Sequence, residues 1–149
     1  MEQITEGGIT YQIETNAVGD KVWYLNRKKH RVDGPAFEDA DGTKVWFLNG
    51  KQHRVEGPAI EYADGTKWWY LNDKLHRVDG PAIEGANGTK SWWLNGDLLT
   101  KEEFNEFRKK LKELKQNPID APLFLHDKHL GFVAREILEE SSASSWGHQ

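Results

Sequence analysis

The sequence contains no cysteine, so disulfide bridges, thiolate metal ligands and cysteine nucleophiles are all excluded. It has no apolar run approaching the ~18 residues of a membrane-spanning helix, and we expect no membrane association. The first residues, Met1 to Glu6, include neither a basic nor an apolar segment, which predicts that no signal peptide is present. The formal net charge of −4 is weak, and we expect no nucleic-acid partner because nucleic-acid-binding proteins usually carry a strongly basic surface.

An internal repeat is the strongest feature that the sequence does contain. The heptapeptide His-Arg-Val-Asp/Glu-Gly-Pro-Ala begins at His30, His53 and His76, at intervals of 23 residues. Tryptophans recur at the same interval: Trp23, Trp46, Trp69 and Trp92. Residues 9–99 therefore contain about four copies, of which the first and the last are incomplete, as expected for the two ends of a stacked array.

Each copy is predicted to form a β-hairpin, which makes the protein mainly β. Asp64-Gly65 is one of the residue pairs that type I′ turns prefer. If this pair forms a two-residue loop, Glu61 lies opposite Trp68. Side chains alternate between the two faces of a strand, so one face of each copy is apolar and is expected to be buried. In the third copy this face consists of Ile60, Trp69 and Leu71, and Trp46 takes the place of Trp69 in the second copy.

The repeated heptapeptide is predicted to be a return loop between hairpins, although a third short strand is the alternative. Its proline has no N–H and cannot donate to a central strand ladder, which favours the loop. Successive hairpins then pair side by side in an antiparallel meander, with neighbouring copies ~9–10 Å apart.

The sequence changes character after Leu99, where an amphipathic helix over 100–116 is predicted. Thr100 and Glu103 are spaced as a capping box. Apolar residues then recur at helical spacing: Phe104, Phe107, Leu111 and Leu114. Such helices either cover one face of the sheet or take part in binding.

A second helix is predicted further along the appendage. Asn117-Pro118 ends the first helix, and residues 119–122 read as an extended link. Asp127 is expected to cap the second helix, over 128–140, and the small polar residues that follow are predicted to be disordered. The expected organisation is a repeat domain, a helical segment and a disordered tail: 1–99, 100–140 and 141–149.

The repeat resembles a variant of the MORN repeat. The resemblance rests on the pattern Asp-Gly-x-Lys-x-Trp-Tyr/Phe-Leu-Asn-Gly-Lys-x-His-Arg-x-Asp-Gly-Pro-Ala, which covers about 90 residues. It implies an elongated meander of antiparallel hairpins. The His-Arg form is similar to that of small bacteriophage-encoded proteins and of bacterial antitoxin-like MORN proteins. The resemblance therefore implies a protein that binds, and inhibits or modulates, a metabolic or defence protein in the cytoplasm of a bacterial host.

The arginines of the heptapeptides leave two interpretations open. Glutamates recur in step with them, so ion pairs between repeats are expected. Alternatively, the arginines form an edge that binds a small anionic, nucleotide-like ligand, although the interspersed acids weaken the field that such a site needs. The residues of that edge are Arg31, Arg54 and Arg77.

The histidines of the heptapeptides predict no metal site. Copies ~10 Å apart cannot bring imidazoles to one ion with bonds of ~2 Å. We expect each imidazole to pack beside a tryptophan and to bond a turn carbonyl. The sequence contains no recognisable catalytic set or phosphate-binding loop, so neither a cofactor nor an enzymatic activity is expected.

A row of aromatic residues on the more exposed face is the best candidate binding surface. Exposed aromatic side chains beside arginine are typical of the core of a protein–protein interface. We therefore expect a protein partner, contacted by Phe47, Trp68, Tyr70, Trp93, Arg54 and Arg77. Self-association through the same face or through a sheet edge is a further possibility.

Overall fold

The chain divides into two units, the first Met1–Leu99 and the second beginning at Thr100. The computed structural model describes residues 1–146, with side chains up to residue 143. The first unit is an antiparallel β meander and the second is helical. The predicted fold class, mainly β with two C-terminal helices, is confirmed.

The first unit contains 15 short strands, joined mostly in chain order. They are β1 (Glu2–Glu6), β2 (Ile9–Thr15), β3 (Lys21–Leu25), β4 (Lys28–Lys29), β5 (Phe37–Glu38), β6 (Lys44–Val45), β7 (Phe47–Leu48), β8 (Lys51–Gln52), β9 (Ile60–Glu61), β10 (Lys67–Trp68), β11 (Tyr70–Leu71), β12 (Lys74–Leu75), β13 (Ile83–Glu84), β14 (Lys90–Leu94) and β15 (Asp97–Leu99). The main sheet has the order β1-β2-β3-β5-β6-β9-β10-β13-β14-β15, with β4 paired to β3. β7 with β8, and β11 with β12, form separate two-stranded sheets.

Each central copy contains two hairpins, one more than the sequence predicted. In the third copy, β9 pairs with β10 in the main sheet, and β11 pairs with β12 outside it. The second hairpin turns at Asn72-Asp73, where φ is 49° and 65°, as a type I′ turn requires. The equivalent turns are Asn26-Arg27, Asn49-Gly50 and Asn95-Gly96, also with positive φ at both residues.

The turn at Asp64-Gly65 is a three-residue loop rather than the two-residue loop expected. Tyr62 N–H donates to the Thr66 carbonyl (2.9 Å), and Gly65 N–H donates to the Tyr62 carbonyl (3.0 Å). Of the two turn residues only Gly65 has a positive φ, at 94°. This is a type I turn followed by a left-handed glycine, a common three-residue hairpin connection.

The longer loop shifts the strand register by one residue from the prediction. Glu61 lies opposite Lys67 rather than Trp68, and Ile60 lies opposite Trp68. Because side chains alternate, a shift of one residue moves a side chain to the other face of the sheet. Ile60 therefore shares its face with Trp68, and not with Trp69 as expected.

The observed register aligns two rows of side chains on opposite faces of the main sheet. The charged row alternates lysine and glutamate: Lys21, Glu38, Lys44, Glu61, Lys67, Glu84 and Lys90. The row on the opposite face, which we call the apolar row, consists of Val22, Phe37, Val45, Ile60, Trp68 and Ile83 and ends at the polar Ser91. Opposite charges directly across a strand pair contribute roughly 0.2–1 kcal/mol each, so the charged row favours this register.

The chain leaves the main sheet for the second hairpin at the repeated tryptophan. Trp46 N–H donates to the carbonyl of Ala59 (2.8 Å), at the end of the heptapeptide, whereas the Trp46 carbonyl accepts from the N–H of His53 (3.1 Å), at its start. Trp23 and Trp69 make the same two bonds. The heptapeptide that follows contains no strand before its final alanine, so it is the return loop that the sequence favoured.

The core of the repeats is narrow. The last residue of each heptapeptide has no exposed surface: Ala36, Ala59 and Ala82. Towards the N-terminus Ala36 joins a larger cluster with Tyr11, Ile13 and Trp23. Trp46 and Trp69, which were expected to be buried, are half-buried. An arginine lies over the ring of all three tryptophans, but only Trp23 is also covered by Tyr11 and Ile13 of the N-terminal strands.

The second unit opens with helix α1, Lys101–Gln116, as the sequence predicted. Glu103 N–H donates to Thr100 Oγ1 (3.1 Å), and Thr100 N–H donates to Glu103 Oε1 (3.0 Å), so the capping box is confirmed. The apolar stripe is buried at Phe104, Phe107, Leu111 and Leu114.

The segment after α1 is helical where an extended link was expected. A 3-10 helix occupies Pro118–Phe124, and Asp120 N–H donates to the Asn117 carbonyl (3.0 Å). Proline at the first position of this helix fits because that residue has no helical partner for an N–H. Ala121 of this helix is buried with Leu114 and Ala134.

Helix α2 spans Gly131–Trp146, later in the chain than predicted. Asp127 caps the turn before it, since its Oδ1 accepts from the N–H groups of His129 (3.0 Å) and Leu130 (2.9 Å). Residues 141–146 are helical rather than disordered, because no glycine or proline interrupts the chain between Gly131 and Trp146. Residues 147–149 of the predicted tail lie outside the described residues. Among those described, no helix is both long and apolar enough to cross a bilayer.

The type I′ turns allow a stability prediction. Arg27 has φ of 64° and is exposed, and a non-glycine residue in the left-handed region costs roughly 1 kcal/mol. Arg27→Gly should therefore raise the free energy of unfolding by ~0.5–1 kcal/mol in chemical denaturation. Gly50 occupies the same turn position in the next copy with φ of 80°, and Gly50→Ala should lower it. A loss of stability in Arg27→Gly would contradict this account of the turn.

Candidate interaction surface

Each complete heptapeptide stacks its arginine on the tryptophan of its own copy. The guanidinium carbon lies 3.8 Å from the ring centroid in Arg54–Trp46 and in Arg77–Trp69. These distances are well inside the cation–π range. The heptapeptide glycine also lies against the guanidinium, and a Cβ at Gly57 would be 3.1 Å from Arg54 Cζ. The tryptophan and the glycine together hold the arginine in one orientation.

The Nη1 group of each repeated arginine is bonded within the first unit of the chain, Met1–Leu99, which we call the repeat unit. It donates to the carbonyl of the heptapeptide proline at 3.0–3.1 Å: Pro35, Pro58 and Pro81. The same nitrogen lies 3.2 Å from Glu61 in Arg54 and 2.9 Å from Glu84 in Arg77. Arg31 makes the equivalent contact with Glu38 at 3.5 Å. The ion pairs expected from the spacing of the glutamates are therefore present, and they join each loop to the hairpin that follows it.

Successive heptapeptide loops enclose two equivalent grooves. The first has a volume of about 650 Å³ and the second, one copy further along, about 440 Å³. The first is lined by Arg31, Arg54, Trp46, Leu48 and His53, among others. Two of the three loop valines are strongly exposed for apolar side chains, at 54% for Val32 and 79% for Val55, whereas Val78 is half-buried. We call the surface formed by loops 31–35, 54–58 and 77–81 the groove face.

The predicted surface of aromatic residues and arginines is divided between the two faces of the sheet. Arg54 contacts Glu61 of the charged row, whereas Trp68 belongs to the apolar row on the opposite face. Tyr70 lies beside Trp68, with ring centroids 6.2 Å apart, and Tyr62 packs edge-on against it at 5.7 Å. These three half-buried residues, Tyr62, Trp68 and Tyr70, form what we call the aromatic cluster.

Two other aromatic residues of the prediction lie outside this cluster. Phe47 packs against the core cluster of Tyr11 and Trp23, with Lys29 Nζ 5.1 Å from its ring. Trp93 is half-buried, and its indole N–H donates to Ser91 Oγ (2.9 Å). Phe47 thus contributes to the core, and Arg77 lies on the groove face with Arg54.

Sequence reasoning overlooked Tyr62 and Val55 as surface residues. Tyr62 has no aromatic equivalent, because Asp39 and Gly85 occupy its place in the neighbouring copies. A search for repeated residues therefore misses it. Val55 does recur, and a β-branched apolar residue inside a polar return loop was a signal that could have been used.

The histidines of the heptapeptides join each copy to the next. Asn72 N–H donates to His53 Nδ1 at 3.0 Å. The same bond, of 2.9 Å, joins His30 to Asn49 and His76 to Asn95. The imidazole thus accepts from a turn N–H, whereas it was expected to donate to a turn carbonyl. Burial lowers the pKa of His30 and of His76, in keeping with an Nδ1 that must stay unprotonated to accept. Among the described residues, no group of three or more His, Asp or Glu could hold a metal ion.

The groove face and the aromatic cluster are therefore two separate surfaces that combine apolar and polar groups. They lie on opposite sides of the main sheet. The chain matches no family model, no curated protein and no solved structure. The choice between the two surfaces depends on their own geometry.

The histidine bonds predict a loss of stability in acid. A histidine whose pKa is lowered by folding binds its proton more readily in the unfolded chain. Its contribution to the free energy of unfolding is therefore complete above the unfolded pKa of about 6.5 and is lost as the pH falls below that value. His76→Asn keeps an acceptor near the position of Nδ1 but cannot titrate. Its free energy of unfolding should fall less between pH 7.5 and 5 than that of the unaltered protein, in urea titrations at each pH. His126→Asn, at an exposed imidazole, should leave the slope unchanged. Equal slopes in all three proteins would refute the assignment.

The close approach of glycine to arginine predicts a coupled pair of residues. A Cβ at Gly80 would lie 2.9 Å from Arg77 Cζ, so Gly80→Ala should displace the guanidinium from Trp69 and cost ~1 kcal/mol of stability or more. In an Arg77→Ala background the same substitution has nothing to displace and should cost much less. A double-mutant cycle from denaturation curves measures the difference. Equal costs in the two backgrounds would show that the contact has no energetic role.

Proposed function

We propose that the repeat unit is a non-enzymatic protein-interaction module that contacts its partner through the groove face. The observation that supports this most directly is that one groove occurs twice, in step with the repeat, with volumes of about 650 and 440 Å³. A partner segment that crosses the loops meets the same chemical groups at each groove. Repeat proteins commonly bind their partners along such extended surfaces.

The composition of the groove face is that of an interface. Its apolar groups, such as Trp46, Leu48 and the exposed Val55, lie among charged side chains, as in an apolar interface core with a polar rim. Arginine and tryptophan are among the residues that most often dominate binding energy. Arg54 is already held on Trp46, so a partner does not have to order it, and less conformational entropy is lost on binding.

The nature of the partner is the second part of the proposal. The resemblance to bacteriophage-encoded and antitoxin-like MORN proteins favours a bacterial host protein, of metabolism or defence, that the repeat unit binds and modulates. The proposed site of action is the bacterial cytoplasm.

A nucleotide-like anion bound along the arginines is the alternative, and the observed contacts favour it less. The Nη1 groups of Arg31, Arg54 and Arg77 all face glutamates, which oppose the positive field that a polyanion needs. Absorbance at 260 nm in the purified protein would be evidence for this alternative.

A pair of matched substitutions tests the groove face. Val55 and Val18 are both exposed valines, at 79% and 71%, but only Val55 lines the grooves. Val55→Glu places a charge in the grooves at little cost to folding, whereas Val18→Glu places the same charge elsewhere. The unaltered protein is first used to capture its partner from a bacterial lysate, which mass spectrometry identifies. Affinity for the purified partner should fall at least ~10-fold in Val55→Glu and stay unchanged in Val18→Glu.

Other outcomes point elsewhere. Equal affinity in both variants would exclude the groove face, and Tyr70→Ala would then test the aromatic cluster. If the protein captures only further copies of itself and sediments as a dimer, self-association replaces the proposal.

A further inference from the structure

Arg54 differs from the other two repeated arginines at the guanidinium edge formed by Nε and Nη2. In Arg31 both nitrogens donate to the Glu6 carboxylate, at 3.2 and 3.1 Å. In Arg77 the Nε donates to Asp79 at 2.9 Å. Within the described residues, the Nε and Nη2 groups of Arg54 have no acceptor, because all of its hydrogen bonds are made by Nη1. Of the three equivalent edges, this one is open.

The Arg54 side chain is more exposed than its two equivalents and is held in position. The Arg54 side chain is 28% exposed, against 17% for Arg31 and 21% for Arg77. Its guanidinium stacks on Trp46 at 3.8 Å, and Nη1 is bonded to the Pro58 carbonyl at 3.1 Å. Arg54 lines both grooves, so a ligand in either one can approach it.

We propose that the Nε–Nη2 edge of Arg54 binds the carboxylate of an aspartate or glutamate side chain of the protein partner. This inference rests on the proposed function and names the chemistry that the groove face recognises. Glu6 on Arg31 is the internal example, since a planar carboxylate there accepts from both nitrogens of the equivalent edge. Two parallel N–H···O bonds of this kind are stronger and more directional than a single neutral hydrogen bond.

The surroundings of Arg54 define the ligand further. Exposed Asp33 and Glu56 line the same groove, so a doubly charged phosphate is repelled more strongly than a single carboxylate. Val32, Val55 and Leu48 also line this groove, which favours apolar residues on either side of the acid in the bound segment. The expected ligand is an extended acidic–apolar peptide segment.

Nuclear magnetic resonance of the arginine Nε–H groups tests the assignment in the whole protein. The probes are the capped tripeptide acetyl-Val-Glu-Val-amide, its glutamine analogue and inorganic phosphate. The Arg54 Nε–H resonance should shift and saturate with the glutamate peptide, whereas the Arg31 and Arg77 resonances should stay in place. The glutamine peptide should bind at least about fivefold more weakly than the glutamate peptide, because its side chain is uncharged. Phosphate should shift Arg54 less than the glutamate peptide does at the same concentration.

Two variants sharpen the test. Glu6→Ala opens the equivalent edge of Arg31, so the Arg31 Nε–H resonance should begin to respond to the glutamate peptide. Glu56→Gln removes a repelling charge near Arg54 and should strengthen binding there by about two- to threefold.

Four results would overturn the proposal. They are an Arg54 Nε–H resonance that does not shift, equal shifts with the glutamate and glutamine peptides, an equal or larger shift with phosphate, and an Arg31 resonance that does not shift in Glu6→Ala. The test is independent of the capture experiment. If Val55→Glu weakens partner binding but the Arg54 resonance does not shift with the peptide, the carboxylate site is refuted and the interaction module is kept. If Arg54 responds to the peptide while Val55→Glu binds the partner normally, Arg54 keeps a carboxylate site but the groove face is refuted as the surface that contacts the captured partner.

Discussion

The arrangement of the repeat unit depends on one peptide group in each copy, that of the repeated tryptophan. Its N–H is bonded to the alanine that ends the following heptapeptide and its carbonyl to the histidine that begins it, so the main sheet and the second hairpin separate at a single residue. An unpaired backbone group would be costly here, which fixes both strand pairs at once. The indole then provides the ring on which the arginine of the same copy stacks. Backbone pairing and side-chain stacking are therefore set by the same position.

Five positions of the heptapeptide have an identifiable role inside the repeat unit. Histidine accepts from the next copy, arginine stacks and pairs with a glutamate, glycine allows the guanidinium to approach, the proline carbonyl accepts from Nη1, and alanine fills the core. Val55 is different, because most of its surface is left to solvent. This difference accords with the proposal that Val55, on the groove face, contacts a partner rather than stabilising the fold.

Local patterns predicted the parts of the structure that depend on local chemistry. The capping box of Thr100 and the stripe of α1 follow from spacing along one helix, and both are confirmed. The strand register could not be predicted, because Asp64-Gly65 suits both a two-residue loop and a three-residue one. Nor did the sequence indicate that Asn72-Asp73, without glycine, forms a type I′ turn. The one-residue error in register then carried into the candidate site, since it placed Trp68 on the face of Glu61, the glutamate that Arg54 contacts, when Trp68 and Glu61 lie on opposite faces.

The bonds between copies also give the chain an order of assembly during synthesis. The Nδ1 of His53 finds its donor 19 residues later in the sequence, at Asn72 of the next copy. A ribosome releases the N-terminal copies first. Each copy therefore leaves the exit tunnel with its hydrogen bonds incomplete and closes only when the following one has emerged. Folding trails translation by about one repeat, and a nascent chain halted between copies exposes the unfinished side of its last one.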